Sequence, residues 1–412
     1  NNKAATALIA CGVMWALYAL AAQGGGLPSA PHGLESVVEQ LTEKLGETAA
    51  IVFFLIGAMT IVEVTDSHGG FEVLTKRIRA KQLSSLLWVI GFIAFFLSSI
   101  LDNMTTTILM VTLMKRLLRD HEQRLLFAGI IVIAANAGGA WTPIGDVTTT
   151  MLWIGGQITT LNIMKGIFLP SLVCLAIPLL FLTFRLRGRQ ITTPVQIRNE
   201  AHHAVPDSMR NAIFLLGMGG LLFVPVFKAV THLPPFMGML FSLGVLWVAS
   251  ELLRKDRDEA MESGMHILKV IRRIDTPSVL FFLGILTAVS ALQATGLLAQ
   301  AAGFLDRTVG NLDLIVFLIG LLSAVIDNVP LVAASMGMYD LATYPTDSPM
   351  WEFLAFAAGT GGSCLIIGSA AGVAAMGMER INFFWYVRNI SGLALLGYVA
   401  GCAVIMLEKT WF

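Results

Sequence analysis

The sequence predicts an all-α polytopic membrane protein built from two inverted-topology repeats, each with a re-entrant helical hairpin and a discontinuous transmembrane helix. Three observations carry that prediction. Hydrophobic residues make up 56% of the 412-residue chain and charged residues 13%, where a soluble domain carries about 25%. Four of the long apolar stretches are interrupted by polar residues rather than running through. A Ser-x-x-x-Asp-Asn motif occurs twice at such interruptions, as Ser98-Ser99-Ile100-Leu101-Asp102-Asn103 and Ser323-Ala324-Val325-Ile326-Asp327-Asn328.

The length leaves room for about ten spans of about 20 residues, and mean hydropathy is strongly positive. Net charge is zero, so no nucleic-acid partner is expected and the lipid bilayer is the obvious one. The four cysteines, Cys11, Cys174, Cys364 and Cys402, sit inside apolar stretches without CxxC spacing, which excludes a disulfide framework or a zinc site and leaves small buried hydrophobes. Residues 4–22 are too long and poorly flanked for a cleaved signal peptide and read as a first span.

Continuous apolar runs place further spans near 48–66, 162–184, 211–230, 236–253, 275–293 and 383–407. Residues 83–119 form two apolar arms meeting at Asp102-Asn103, and 311–340 two arms meeting at Asp327-Asn328. Residues 124–155 break at Asn136-Ala137-Gly138-Gly139-Ala140-Trp141-Thr142-Pro143, and 352–378 break at Gly359-Thr360-Gly361-Gly362-Ser363. Such breaks are tolerated at depth only where protein or a water-filled cavity covers the backbone. Residues 34–45 and 264–273 read as amphipathic segments at the interface.

Basic residues set the expected orientation. Lys76, Arg77, Arg79 and Lys81, with Lys115, Arg116 and Arg119, flank the first two-armed region, so both its ends are expected on the cytoplasmic side, as in a re-entrant hairpin. Arg185, Arg187, Arg189, Arg254, Lys255, Arg257, Lys269, Arg272 and Arg273 mark further cytoplasmic loops. The second two-armed region has almost no basic flank and is expected to open outward. Only Lys44, Lys165, Lys228, Arg307 and Lys409, five of the 27 Lys+Arg, then fall outside. The N-terminus is expected to be cytoplasmic and the C-terminus on the outer, periplasmic side.

The two halves match at regular offsets. Gly57, Thr60 and Gly69 correspond to Gly284, Thr287 and Gly296; Ser98, Asp102 and Asn103 to Ser323, Asp327 and Asn328; Gly138, Gly139 and Gly145 to Gly361, Gly362 and Gly368. This divides the chain into a first repeat over 1–190, a cytoplasmic loop and linking span over 191–235, and a second repeat over 236–412. Inverted repeats with broken helices are the mark of a secondary transporter with its site at the midplane.

Each Ser-x-x-x-Asp places serine and aspartate on one helical face. The hairpin tip adds the Asn amide oxygen and freed backbone carbonyls, an oxygen donor set suited to hard cations. The first tip continues through Met104-Thr105-Thr106-Thr107, the second through Val329-Pro330-Leu331, so the two sites are not expected to be equivalent. The first broken helix offers Asn136, Thr142 and Gly145-Asp146-Val147-Thr148-Thr149-Thr150. The second offers Thr360, Ser363 and Ser369, with Ser369 where the first has Asp146. Asp102, Asp146 and Asp327 are expected to converge at the centre, where a carboxylate can hold either a proton or a metal ion. For Asp146 alone, capping of the following half-helix is an alternative reading.

Glu63, Asp66 and His68 read as a solvated helix end, with a proton entrance as the other possibility. His121, His202, His203, His232 and His266 fall in loops or at span ends and receive no role. Glu379, Arg380 and Arg388 read as interfacial anchors of the last span, and the many Met and Phe residues as apolar filling.

Taken together, Ser98-x-x-x-Asp102-Asn103-Met104-Thr105-Thr106, the run from Asn136 to Asp146, and Asp327-Asn328-Val329-Pro330-Leu331 resemble NhaD-type sodium/proton antiporters of the ion transporter superfamily. The resemblance covers nearly the whole chain. It implies an inner-membrane homodimer in which a scaffold holds a mobile transport domain moving as an elevator. Na+ (or Li+) and H+ would be transported, and no cofactor is expected. It assigns ion or proton contacts to Asp102, Asn103, Thr105, Asn136, Asp146, Thr148 and Thr149, with Ser323, Asp327 and Asn328 from the other half. Ser98, Ser363 and Ser369 complete the candidate set. Dicarboxylate transporters of the superfamily carry Ser-Asn-Thr at these tips; aspartate in place of that serine favours a cation over an anion. Arsenite or a small organic anion on the same scaffold is the nearer alternative. An intramembrane aspartyl protease is the remote one, since Pro143-Ile144-Gly145-Asp146 departs from Gly-x-Gly-Asp.

Overall fold

Uninterrupted apolar sequence becomes long helices here, and interrupted sequence becomes pairs of half-helices. The computed structural model describes residues 3–24, 29–71, 82–188, 206–254 and 273–411. The basic stretch 76–81, Arg189, Lys255, Arg257, Lys269, Arg272, most of the amphipathic segment 264–273, and His202, His203 and His266 lie outside the described residues.

The long helices are α1 (Lys3–Gln23), α2 (Leu34–Ser67), α7 (Thr160–Arg185), α8 (Asp207–Thr231), α9 (Pro235–Arg254) and α10 (Thr276–Ala294). The two arms of the expected first hairpin are α3 (Leu83–Ser98) and α4 (Asn103–Leu117), and the first interrupted stretch gives α5 (His121–Ala140) and α6 (Val147–Ile154). After α11 (Leu297–Thr308) come the arms of the expected second hairpin, α12 (Leu312–Leu322) and α13 (Asn328–Met338), and the second break, between α14 (Pro349–Gly361) and α15 (Ala370–Glu379). The chain closes with α16 (Phe383–Tyr386), a π-helical turn over Val387–Ser391, and α17 (Gly392–Trp411). Among the described residues eight helices are long and apolar enough to cross a membrane, so the chain is a multi-pass membrane protein.

Two expectations change. Residues 34–45 are not a separate interfacial segment: they run into the second span as one 34-residue helix, about 51 Å long. Val37 is buried in a cluster with Trp15, Tyr18 and Ala291, whereas Leu34, Val38 and Leu45 stay exposed. The sequence reading also passed over α11, an amphipathic helix that begins after Gly296 in the left-handed region (φ 77).

Corresponding residues make corresponding contacts. The Ser98 hydroxyl donates to the Ala135 carbonyl at 2.6 Å, and that of Ser323 to the Ala358 carbonyl at 2.8 Å. Each bond ties a hairpin to its broken helix. Glycine permits the crossing: a Cβ on Gly138 would lie 2.1 Å from the Phe95 oxygen, and one on Gly361 1.9 Å from the Gly320 oxygen. Outside these bodies, α1 packs along α10 and α9 along α2. Gly284 leaves room for Ala7, and Gly57 for Met239.

Two of the polar groups tie helix ends together. Glu379 is buried, with Arg124 Nε at 3.2 Å, His121 Nδ1 at 3.8 Å and Lys115 Nζ at 4.0 Å. It therefore fastens α15 to α4 and α5 and is no interfacial anchor, because an unpaired carboxylate buried there would be costly. The other group joins Lys409 to Asp313, Asn162 to Glu352, and Thr159 to Asp347.

Gly138→Ala and Gly361→Ala are each expected to lower the melting temperature in detergent, because overpacking against backbone costs about 1–3 kcal/mol or more. Thermal unfolding followed by intrinsic fluorescence checks this; an unchanged midpoint in both variants would contradict the crossing.

Candidate functional site

All four interrupted segments resume on a candidate site residue. Asp102 caps α4 by accepting from the Thr105 N–H at 2.9 Å, and Asp146 caps α6 by accepting from the Thr148 N–H at 2.9 Å. Asp327 caps α13 through the Val329 N–H at 3.3 Å, and Ser369 caps α15 through the Gly372 N–H at 3.1 Å. A helix N-terminus carries orphan N–H donors and partial positive charge. Placed away from water, it requires such acceptors, and an ionised one most of all.

Capping does not exhaust Asp146. Its Oδ1 accepts from the Thr148 N–H and from the Thr148 hydroxyl at 2.7 Å, while Oδ2 accepts from Asn103 Nδ2 at 2.7 Å. The capping and site readings of this residue therefore both hold geometrically. Asn103 Nδ2 also donates to Asn136 Oδ1 at 3.0 Å, and Asn136 Nδ2 donates to Ser363 Oγ at 2.8 Å and Ser369 Oγ at 2.9 Å. One buried web thus links the first hairpin, the first break and the second break. The position matching Asn136 in the second half is Gly359, so a single asparagine serves both halves.

Asp102 is held differently. Thr105 donates to it from both backbone and hydroxyl. It lines a second cavity, of about 210 Å³, with Glu63, Asp66, Thr105 and Arg273. Asp146 and Asp327 share a neighbouring cavity of about 320 Å³ with Asn103, Asn328 and Asp275. Asn103 and Asp275 line both. The three aspartates line two adjoining cavities, and among the described residues no group of three or more His, Cys, Asp or Glu is placed to hold a metal ion. Each carboxylate is directed first by the helix it caps. Donors for a cation at Asp146 or Asp327 would have to include amide, hydroxyl and backbone oxygens.

Ser98 and Ser323 are buried and commit their protons to carbonyls of the broken helices, so they position the hairpins. Thr149, like Thr106 and Thr107, is buried with a hydroxyl that has no hydrogen-bond partner. Near the second cavity, His68 is buried with Nδ1 2.7 Å from the Val64 carbonyl, which overturns its reading as a solvated end. Glu63 lies 3.8 Å from Arg273. Lys3 and Asp275, absent from the sequence-based set, both line the cavity of Asp146 and Asp327. Asp275 announces itself only as a helix cap before Pro277, and Lys3 only as a flanking charge.

Half-helices ending on buried polar groups, inside a bundle of spanning helices, define a membrane transporter rather than an enzyme. The CitMHS family, described as citrate transporter, matches residues 2–359. Sodium/proton antiporter 1 of Arabidopsis thaliana is 50% identical over 407 residues, covering 98% of this chain and 68% of the relative. Sodium/proton antiporter 2 of the same plant is 50% identical over 370 residues, 89% and 87% of the two chains. Na(+)/H(+) antiporter NhaD of Vibrio parahaemolyticus is 31% identical over 426 residues, 96% and 98%. The chain belongs to the CitMHS family and groups with NhaD-type sodium/proton antiporters of the ion transporter superfamily.

Asn136→Ala removes the centre of the web and leaves Asn103, Ser363 and Ser369 without it. The expected cost is about 1–3 kcal/mol for each buried group left unsatisfied, read as a lower melting temperature. A melting temperature equal to that of the parent protein would contradict the web's role.

Proposed function

We propose that the chain exchanges Na+ (or Li+) for H+ across its membrane, with buried aspartates alternately holding the cation and the proton. The observation that carries this reading is Asp146: only 1% exposed, on a helix break, bonded to Asn103, and lining a cavity with Asp327. A carboxylate at that depth is costly when bare. Either a proton or a metal ion neutralises it, so the two compete for the same oxygens. The names of the sodium/proton antiporter relatives support the same substrates.

Ligand roles are proposed for Asp146, Asp327, Asn103, Asn328, Asn136, Thr148 and Thr149, with Asp102 and Thr105 at the adjoining cavity and Ser363 and Ser369 behind Asn136. Ser98 and Ser323 complete the set by holding the tips. The two halves are proposed to be inverted repeats with re-entrant hairpins. The matched Ser98 and Ser323 bonds support the repeat, and the division of polar contacts between the Glu379 group and the Lys409 group supports the opposite openings. In the proposed elevator, α1, α2 and α8–α11 form the scaffold, and α3–α7 with α12–α17 form the moving body. In this reading the Glu379 group and the N-terminus are cytoplasmic and the C-terminus is on the opposite side, supported by the distribution of Lys and Arg in the sequence. The family resemblance adds a homodimer in an inner membrane.

The family description names citrate. Against an anion in this chain stand Asp146, Asp275 and Asp327 around one cavity, which would repel a carboxylate substrate.

Purified protein in liposomes enclosing a pH dye is expected to dissipate a preset pH gradient on addition of NaCl or LiCl, but not of KCl or of a citrate or dicarboxylate salt. Asp146→Asn and Asp327→Asn should each lower the rate by about 10²-fold or more, in line with losing a group the chemistry requires. Full activity in both variants, or uptake of arsenite or an organic anion without cation-driven proton movement, would refute the reading.

A further inference from the structure

The cavity between Asp146 and Asp327 contains one cation of the protein's own. Lys3 Nζ lies 3.6 Å from Asp327 Oδ2. Lys3 is the first described residue of α1, which packs along α10 and against α2; Asp327 is on the tip of the second hairpin, which is fastened to α14 by Ser323. The pair therefore bridges the two groups of helices that an elevator would move apart. The charged groups around Asp327 are Asp146 from α6, Asp275 from the start of α10, and Lys3 from α1. Lys3 is the sole basic residue lining that cavity among the described residues. Arg273 lines the adjoining cavity and lies near Glu63. Asp275 is occupied in capping α10, accepting from the Ser278 N–H at 3.3 Å and from its hydroxyl.

We propose that Lys3 is a tethered cation that pairs with Asp327 when neither Na+ nor H+ is bound there, and that this pair holds the empty moving body against the scaffold. The proposal rests on the exchange reading above. An exchanger stays coupled only if its empty, deprotonated form does not cross; crossing empty converts exchange into a one-way Na+ leak. An ion pair between scaffold and moving body that forms only with a charged Asp327 imposes that rule directly. Na+ or H+ at Asp327 removes the negative charge and releases the lysine. The side chain of Lys3 is 57% exposed and that of Asp327 18%, so release returns the ammonium to water at little cost. A long, half-exposed pair is weak. That suits a latch that must open on every cycle.

The test uses wild type, Lys3→Gln and Lys3→Arg in liposomes with the membrane potential clamped, measuring radiolabelled Na+ and proton fluxes in the same vesicles. In Lys3→Gln the Na+ moved per H+ should rise about two- to five-fold, the range that an exposed ion pair commands. Lys3→Arg should keep the wild-type ratio. With a competing cation removed, the Na+ KM on the cavity side should fall in Lys3→Gln. A wild-type ratio in Lys3→Gln overturns the latch whatever the KM does, and so does loss of its Na+ flux. If wild type itself couples no protons to Na+, the exchange reading fails first and the latch falls with it.

Discussion

The structure depends on one constraint: helix ends placed away from water must have their N–H and C=O groups met by the protein. Four apolar stretches break and resume in this chain, and each resumes on Asp102, Asp146, Asp327 or Ser369. The demand for a cap brings the carboxylates to depth in the first place. Having been brought there, they are available to whatever cation can reach them. Fold and site are thus the same solution viewed twice. The close crossings at Gly138 and Gly361 and the serine bonds from Ser98 and Ser323 keep these ends in register, hairpin against broken helix.

The two halves share this framework but divide the chemistry unequally. Asn136 reaches across to Ser363 and Ser369, while Gly359 in the matching position packs closely against Ala140, where a Cβ would lie 3.2 Å from the Ala140 Cβ. Asp146 has Ser369 as its counterpart, and Thr105 has Pro330. The first half therefore supplies most of the donors, and the second supplies Asp327 and the hydroxyls behind Asn136. Asn103 stands at the junction: bonded to Asp146 and Asn136, it lines both cavities and can relay a change at one carboxylate to the other.

Much of this was legible in the sequence. Apolar runs and their interruptions gave the helices and half-helices within a few residues, because polar groups inside a long apolar run have few tolerated explanations. The repeated Ser-x-x-x-Asp-Asn located two of the helix breaks, at Asp102 and Asp327. Other features were illegible for identifiable reasons. Residues 34–45 read as amphipathic, but that pattern does not show where the helix starts, and the packing of Val37 with Trp15 and Tyr18 is a tertiary fact. Helix α11 is too short and too polar to register as a span. Composition shows which residues lie in the apolar sequence but not which way a cap turns them: Asp102, bonded to Thr105, lines the cavity adjoining that of Asp146 and Asp327. Glu379 is buried by Lys115, His121 and Arg124, all distant in the chain, and the burial of His68 has no mark in the sequence. Lys3 was invisible among the other flanking charges.

Competition between Na+ and H+ for one buried site is the central claim, and it is most directly tested by calorimetric titration of the purified protein with NaCl over a range of pH, in buffers of different ionisation enthalpy. Because a ligand carboxylate must be deprotonated to bind a metal ion, Na+ binding should release protons, and its affinity should weaken about tenfold for each pH unit below the site's own titration. An affinity independent of pH, with no proton released, would contradict the account.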